Sequence, residues 1–154
     1  MKKVLVTGIS GYIGQHCAVE LLKDGYYVKG SLRDLEKKDE VINGIKKEID
    51  PSENLEFVKL NLLSDEGWDD AVEGCESVLH VASPYFLREP INEDEYIKPA
   101  REGTLRVLKS AQKAKVKKVV LTSSFVAMMG KVLDSNEDTG TIDSESWTDE
   151  NQAI

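Results

Sequence analysis

Val4-Leu5-Val6-Thr7-Gly8-Ile9-Ser10-Gly11-Tyr12-Ile13-Gly14 is the stretch from which the architecture of this chain can be worked out. A short β-branched run stops at Gly8, and an amphipathic pattern follows from Ile13 through Val19, Leu21 and Leu22 to Gly25, so the order is strand, turn, helix. Glycines spaced as Gly8, Gly11 and Gly14 carry little weight by themselves. Placed directly after a strand and at the opening of a helix, they carry a great deal. Glycine permits the tight turn and the close backbone approach, and the free N–H groups at the helix start, at the positive end of its dipole, suit a pyrophosphate. The alternative is a turn in which the glycines serve packing alone.

Outward from that loop the alternation continues. Residues 26–32 read as a second strand, and the charged segment 35–49 carries Val41, Ile42, Ile45 and Ile49 at helical spacing before Pro51 ends it. Residues 55–60 read as a third strand, 65–74 as a short helix with Trp68, Ala71 and Val72 on one side, and 77–82 as a fourth strand. Over 94–114, Ile97, Ala100, Leu105, Leu108 and Ala111 share one broad face of a long helix, which Pro99 either kinks or begins; 118–122 follow as a fifth strand. Strands alternating with helices imply an α/β fold, because parallel neighbours need crossovers and helices supply them. Right-handed crossovers then give a Rossmann-type doubly wound parallel sheet of order 3-2-1-4-5 with helices on both faces. This domain is expected over residues 1–130. Residues 131–154 read as an acidic loop, Ser/Thr-rich over 134–150 and solvated rather than a binding tail.

Composition bounds the function. Apolar residues at 40% and charged ones at 31% mark a globular chain, and 154 residues suffice for one sizeable core. The 28 acidic against 20 basic side chains leave a charge of -8, whose field repels a phosphate backbone, so nucleic acid is not an expected partner. Cys17 and Cys75 read as helical positions with no metal-ligand spacing, which implies free thiols in a reducing compartment. His16 and His80 read as structural, and no metal site is expected. No stretch approaches the ~20 apolar residues of a membrane span, so a cytoplasmic protein without membrane contact is expected.

The Gly8, Gly11, Gly14 spacing resembles the TGxxGxxG loop of extended short-chain dehydrogenases/reductases, and the resemblance runs through the whole chain. Val78-Leu79-His80-Val81-Ala82-Ser83-Pro84, Ile97-Lys98-Pro99-Ala100 with Glu102-Gly103-Thr104-Leu105, and Val119-Val120-Leu121-Thr122-Ser123-Ser124 are similar to blocks of the dihydroflavonol reductase, cinnamoyl-CoA reductase and yeast methylglyoxal reductase group. Trp147 in Glu145-Ser146-Trp147-Thr148 fits the same group.

The resemblance implies a site. Gly8, Ser10, Gly11, Tyr12, Ile13 and Gly14 would surround the pyrophosphate. The residue ending the second strand chooses the dinucleotide, since an acid there hydrogen-bonds the ribose of NAD and repels a 2'-phosphate. Apolar Leu32 is followed by Arg33, whose guanidinium grips a phosphate bidentately, and Lys37 or Lys38 stand close in sequence; this argues for NADP (NADPH) over NAD. The bland alternative is a solvated surface arginine. Asn61-Leu62 stand where the group usually has Asp-Leu beside adenine; Asn61 departs from that pattern, but its amide oxygen still accepts a hydrogen bond. Val81, Ala82 and Ser83 would line the path to the nicotinamide ribose with Thr122, and Tyr85-Phe86-Leu87 would begin a substrate wall. Ser124 matches the catalytic serine, whose hydroxyl bonds the substrate carbonyl oxygen; the alternative is a serine that satisfies backbone groups at a strand end.

Members of the group also use a tyrosine and a lysine four residues after it. No Tyr-x-x-x-Lys occurs here: Tyr12, Tyr26, Tyr27, Tyr85 and Tyr96 are followed by His16, Gly30, Ser31, Glu89 and Ala100. The group places that pair beyond the tryptophan block, so the chain is expected to be the cofactor-binding fragment of a larger NADP-dependent reductase, inactive alone, acting on a small carbonyl or secondary alcohol and forming a homodimer by analogy. The alternatives are an NAD-dependent sugar-nucleotide epimerase or dehydratase, and a non-catalytic dinucleotide sensor or interaction module.

Overall fold

Alternating side chains along the first strand divide the interior in two. In the computed structural model, which describes residues 1–84, 92, 94–128 and 142–148, β1 (Lys3–Thr7) sends Val4 and Val6 into one buried cluster and Leu5 into another. The first cluster is closed by Ala18, Val19 and Leu22 of α1 (Tyr12–Lys23) and by Val41 and Ile45 of α2 (Lys38–Ile45). The second is closed by Trp68, Ala71 and Val72 of α3 (Trp68–Val72) and by Val107 of α4 (Asp94–Lys113). A strand covered on both faces must be apolar throughout, which is why its sequence is a continuous run.

The other strands are β2 (Tyr27–Leu32), β3 (Leu55–Lys59), β4 (Ser77–His80) and β5 (Lys118–Leu121). All pairings are parallel and the order is β3-β2-β1-β4-β5, as the alternation required. Central β1 sets Val6 beside Gly30 and Thr7 beside His80. Gly30 makes room for the fully buried Ile9, whose Cδ1 would lie 2.5 Å from a Cβ at that position.

Several elements depart from the sequence pattern for identifiable reasons. The segment expected as one helix over 35–49 splits into a 3-10 turn (Leu35–Lys37) and α2, which ends at Ile45 as Lys47 and Glu48 turn to carbonyls three residues back. The helix expected over 65–74 holds only the five residues of α3, because Gly67 enters it at φ 82 and Gly74 leaves at φ 70. Cys75 therefore lies in the turn after α3 rather than in a helix, and its burial raises the thiol pKa. Pro99 lies inside α4, which begins at Asp94 with the Asp94 N–H donated to Asn92 Oδ1 at 2.9 Å.

Met1–Leu121 form one compact unit and Thr122–Ile154 a second. The boundary expected at residue 130 lies outside the described residues.

Candidate functional site

Two glycines shape the turn between β1 and α1, and a third leaves it open. Gly8 has φ 71, a left-handed conformation costing an L-residue roughly 1 kcal/mol or more, and a Cβ there would stand 2.9 Å from Ala82 Cα. Gly14, in the first turn of α1, packs on the loop itself: its Cβ would meet Gly8 O at 2.3 Å and Ile9 Cα at 2.9 Å. Gly11 differs from both. Its φ of -80 and ψ of 162 suit any residue, and the nearest atom to an added Cβ is Gly8 O at 3.4 Å. Folding accounts for the missing side chains at 8 and 14. A side chain at 11 would obstruct only the space outside the loop.

That space has the electrostatics of an anion site. The first N–H groups of α1 have no intrahelical acceptor, and the N-cap Gly11 offers no side chain to satisfy them. Acids occupy the first turns of α2 (Asp39, Glu40), α3 (Asp69, Asp70) and α4 (Asp94, Glu95), whereas α1 has none. In a chain of net charge -8, α1 is the described α-helix whose positive end is left uncompensated. Around it Ser10, Tyr12 and Ile13 are exposed, Tyr12 at 80%. The Ser10 carbonyl accepts from Gln15 Nε2 at 3.3 Å, and the Tyr12 ring stands edge-on to His16.

The ends of β2 and β3 are tied by the Leu60 N–H, which donates to Leu32 O at 2.9 Å. Exposed Arg33 and exposed Asn61 follow these adjoining strand ends. Asp34, beside Arg33, is engaged locally: its carboxylate accepts from the Glu36 N–H at 3.0 Å. Asn61 Oδ1 accepts from the Leu63 N–H at 3.0 Å, which fixes the amide orientation, since only the oxygen can accept, and leaves one lone pair. Leu62 is half-buried against α4, where a Cβ on Gly103 would come within 2.7 Å of its Cδ2.

At the end of β4 the structure reveals an arrangement that sequence reasoning missed. Thr7 Oγ1 accepts from the Val81 and Ala82 N–H groups, both at 3.1 Å, and lies 2.8 Å from His80 Nδ1. The strand expected to reach residue 82 therefore stops at His80, its next two N–H groups drawn to a side chain instead of a ladder. His80 Nε2 faces Thr104 Oγ1 of α4 at 3.4 Å, and burial lowers the imidazole pKa. Ser31, also missed, accepts from the Gly8 N–H at 3.2 Å. Val81 and Ala82 are half-buried and Ser83 is exposed. A polar residue ending each of two neighbouring strands was the available signal.

In the second unit Thr122 and Ser124 are exposed. Ser124 Oγ accepts from the Val126 N–H at 3.3 Å, opening the 3-10 turn Phe125–Met128, and its hydroxyl proton is still available to donate. The Thr148 N–H, next to exposed Trp147, reaches Ala127 O at 2.9 Å. Tyr85, Phe86 and Leu87 lie outside the described residues. Among the described residues no group of three or more His, Cys, Asp or Glu is placed to hold a metal, and no helix is long and apolar enough to cross a membrane.

Known proteins resemble this chain in sequence and fold. Residues 4–149 match the sequence profile of the NAD dependent epimerase/dehydratase family. A cinnamoyl-CoA reductase of Medicago truncatula is 41% identical over 126 residues, 81% of this chain and 38% of the relative. A dihydroflavonol 4-reductase of Callistephus chinensis is 37% identical over 150 residues, 95% of this chain and 39% of the relative. Yeast methylglyoxal/isovaleraldehyde reductase complexed with NADPH superposes with a TM-score of 0.81 at 28% identity, over 95% of this chain and 44% of that one. The chain thus spans about two fifths of the length of these proteins. With the matched profile, the parallel sheet of order 3-2-1-4-5 and the glycine loop at the end of its first strand, the chain belongs to the NAD dependent epimerase/dehydratase family of extended short-chain dehydrogenases/reductases.

Proposed function

We infer that this chain is the cofactor-binding part of an NADP-dependent reductase for small carbonyl compounds. One observation carries the reading: Gly11, which packing does not require, stands at the uncapped and acid-free start of α1. The chain's own residues fit a dinucleotide there. The N–H groups of Tyr12, Ile13 and Gly14 would hold the pyrophosphate, with Gly8, Ser10 and Gly11 admitting it. Arg33 would grip the 2'-phosphate, as a guanidinium does better than a lysine, and the absence of an acid at Leu32 removes the group that would select NAD. Asn61 and Leu62 would frame the adenine, while Val81, Ala82 and Ser83 would line the nicotinamide ribose.

When bound, the cofactor supplies or accepts the hydride exchanged with a carbonyl or a secondary alcohol. Ser124 would donate its hydroxyl hydrogen bond to the carbonyl oxygen as that atom gains negative charge. The NADPH named for the yeast reductase, and the reductase activities named for the plant relatives, support both the cofactor and the reaction class. Calorimetric titration of the full-length protein tests the reading. NADPH is expected to saturate and to bind at least about tenfold more tightly than NADH. Saturation by neither dinucleotide sinks it.

A further inference from the structure

Thr7 Oγ1 has three polar neighbours, and their identities fix where every proton lies. A threonine oxygen has two lone pairs and one proton. The Val81 and Ala82 N–H groups, each 3.1 Å away, can only donate, so they fill both lone pairs. The Thr7 hydroxyl must then donate to its third neighbour, His80 Nδ1, at 2.8 Å. Nδ1 therefore carries no proton, and the neutral ring holds its proton on Nε2, the nitrogen facing Thr104 Oγ1 at 3.4 Å. At 2% exposure the ring is closed off from solvent, so no water replaces either partner cheaply.

What this chain of bonds holds is Ala82, the residue on which the glycine loop rests. A Cβ on Gly8 would overlap Ala82 Cα at 2.9 Å and its nitrogen at 3.0 Å, so the two backbones are in direct contact. Ser31 holds the other side of Gly8 by accepting its N–H at 3.2 Å. The loop that presents the first N–H groups of α1 is thus seated between β2 and β4, and its seat on β4 depends on Thr7 keeping its oxygen aimed at two peptide N–H groups. His80, by accepting the Thr7 proton, aims that oxygen; Thr104 ties the ring to α4.

We propose that His80, locked as the Nε2–H tautomer between Thr7 and Thr104, is a positioning residue that seats the glycine loop on the end of β4 for dinucleotide binding. The proposal rests on the dinucleotide reading above. It is tested by NADPH titration of the full-length protein as wild type, His80→Leu and His80→Asn, each checked for folding by circular dichroism. Asparagine places an amide oxygen near the position of Nδ1 and restores the acceptor. Its Kd is expected to stay within about threefold of wild type, whereas leucine, which strands the Thr7 proton, raises Kd about tenfold, the worth of one buried hydrogen bond. Equal binding by wild type and a folded His80→Leu, or failure of asparagine to restore what leucine loses, overturns the proposal. NMR of the imidazole nitrogens in the wild type needs no variant: protonation at Nε2 is expected, and protonation at Nδ1 refutes the lock. If wild type takes up NADPH while these tests fail, the positioning role alone falls; if it takes up no dinucleotide, the cofactor reading falls with it.

Discussion

Replacing each glycine of the first loop by alanine should separate folding from cofactor binding within seven residues of chain. At Gly14 the new Cβ would lie 2.3 Å from Gly8 O and 2.9 Å from both Gly8 C and Ile9 Cα. All three are backbone atoms and cannot rotate away, so the cost is that of forced overpacking, about 2–3 kcal/mol of stability. At Gly8 the left-handed φ of 71 adds roughly 1 kcal/mol to the overlap with Ala82, for a total near that of Gly14→Ala. At Gly11 the closest approach is 3.4 Å and the backbone is ordinary, leaving only an N-cap preference of about 0.5 kcal/mol. Urea unfolding at equilibrium should rank the losses as Gly14 and Gly8 well above Gly11. NADPH titration should nonetheless show Gly11→Ala binding weakly, by about tenfold or more, because a methyl group stands between the α1 N–H groups and a pyrophosphate. A Gly11→Ala protein that binds NADPH like wild type refutes the anion-site argument, and one as unstable as Gly14→Ala refutes the geometric one.

Further expectations can be checked with the same two assays. Arg33→Ala should raise Kd for NADPH about tenfold to a hundredfold, the worth of a charge-assisted contact, and leave NADH unchanged; equal affinities surviving the substitution remove Arg33 from selectivity. Gly103→Ala should destabilise by about 1–3 kcal/mol, since its Cβ would press on Leu62 Cδ2 at 2.7 Å and Cβ at 2.9 Å, and pairing it with Leu62→Ala should cost less than the sum of the two. Burial holds the His80 pKa below its ordinary value of 6.5, so the unfolded chain binds that proton more readily. Its contribution to stability is therefore complete above about pH 6.5 and lost as pH falls through the folded-state value. Urea midpoints at about pH 7.5 and pH 5 should show this decline in wild type and less of it in His80→Asn, and identical slopes would count against a neutral buried ring.

The strand order was legible because it follows from rules that act along the chain: a period of two or 3.6, a helix between successive strands, and the handedness of crossovers. Val4, Leu5 and Val6 announce a strand covered on both faces whatever they pack against. The end of β4 was illegible for the opposite reason. Val81 and Ala82 read like the apolar Val78 and Leu79, and His80 between them is the one local sign of the strand end; their N–H groups leave the ladder for a hydroxyl 74 and 75 positions away in sequence. Gly30 and Gly103 are equally opaque, since their meaning lies in Ile9 and Leu62, the side chains they admit. The pattern over 65–74 overstated α3 because Trp68, Ala71 and Val72 fall on one side whether the helix has five residues or ten, and only the positive φ of Gly67 and Gly74 sets its length. At the candidate site the glycine positions were readable and the hydroxyls that seat them were not: Thr7 and Ser31 act through partners far away in sequence.

This difference bears on how the proposed site would tolerate change. The proposed pyrophosphate grip would be made of peptide N–H groups, so side chains would matter to it mainly through the room they leave, which is little at Gly8 and Gly14 and ample at Gly11. Selection among dinucleotides would fall instead to an exposed side chain just past the sheet, Arg33 after β2, which the core does not require. A charge reversal at residue 33 should accordingly redirect cofactor preference while barely moving the urea midpoint, because an exposed position away from cap or core shifts stability by no more than about 0.5 kcal/mol. The same change at residue 29 has no such freedom: Lys29 is 8% exposed, with Nζ 3.3 Å from Asp70 O and 3.6 Å from Glu56. A carboxylate there would sit buried beside an acceptor and another acid, so Lys29→Glu should unfold the domain where Arg33→Glu only retunes it.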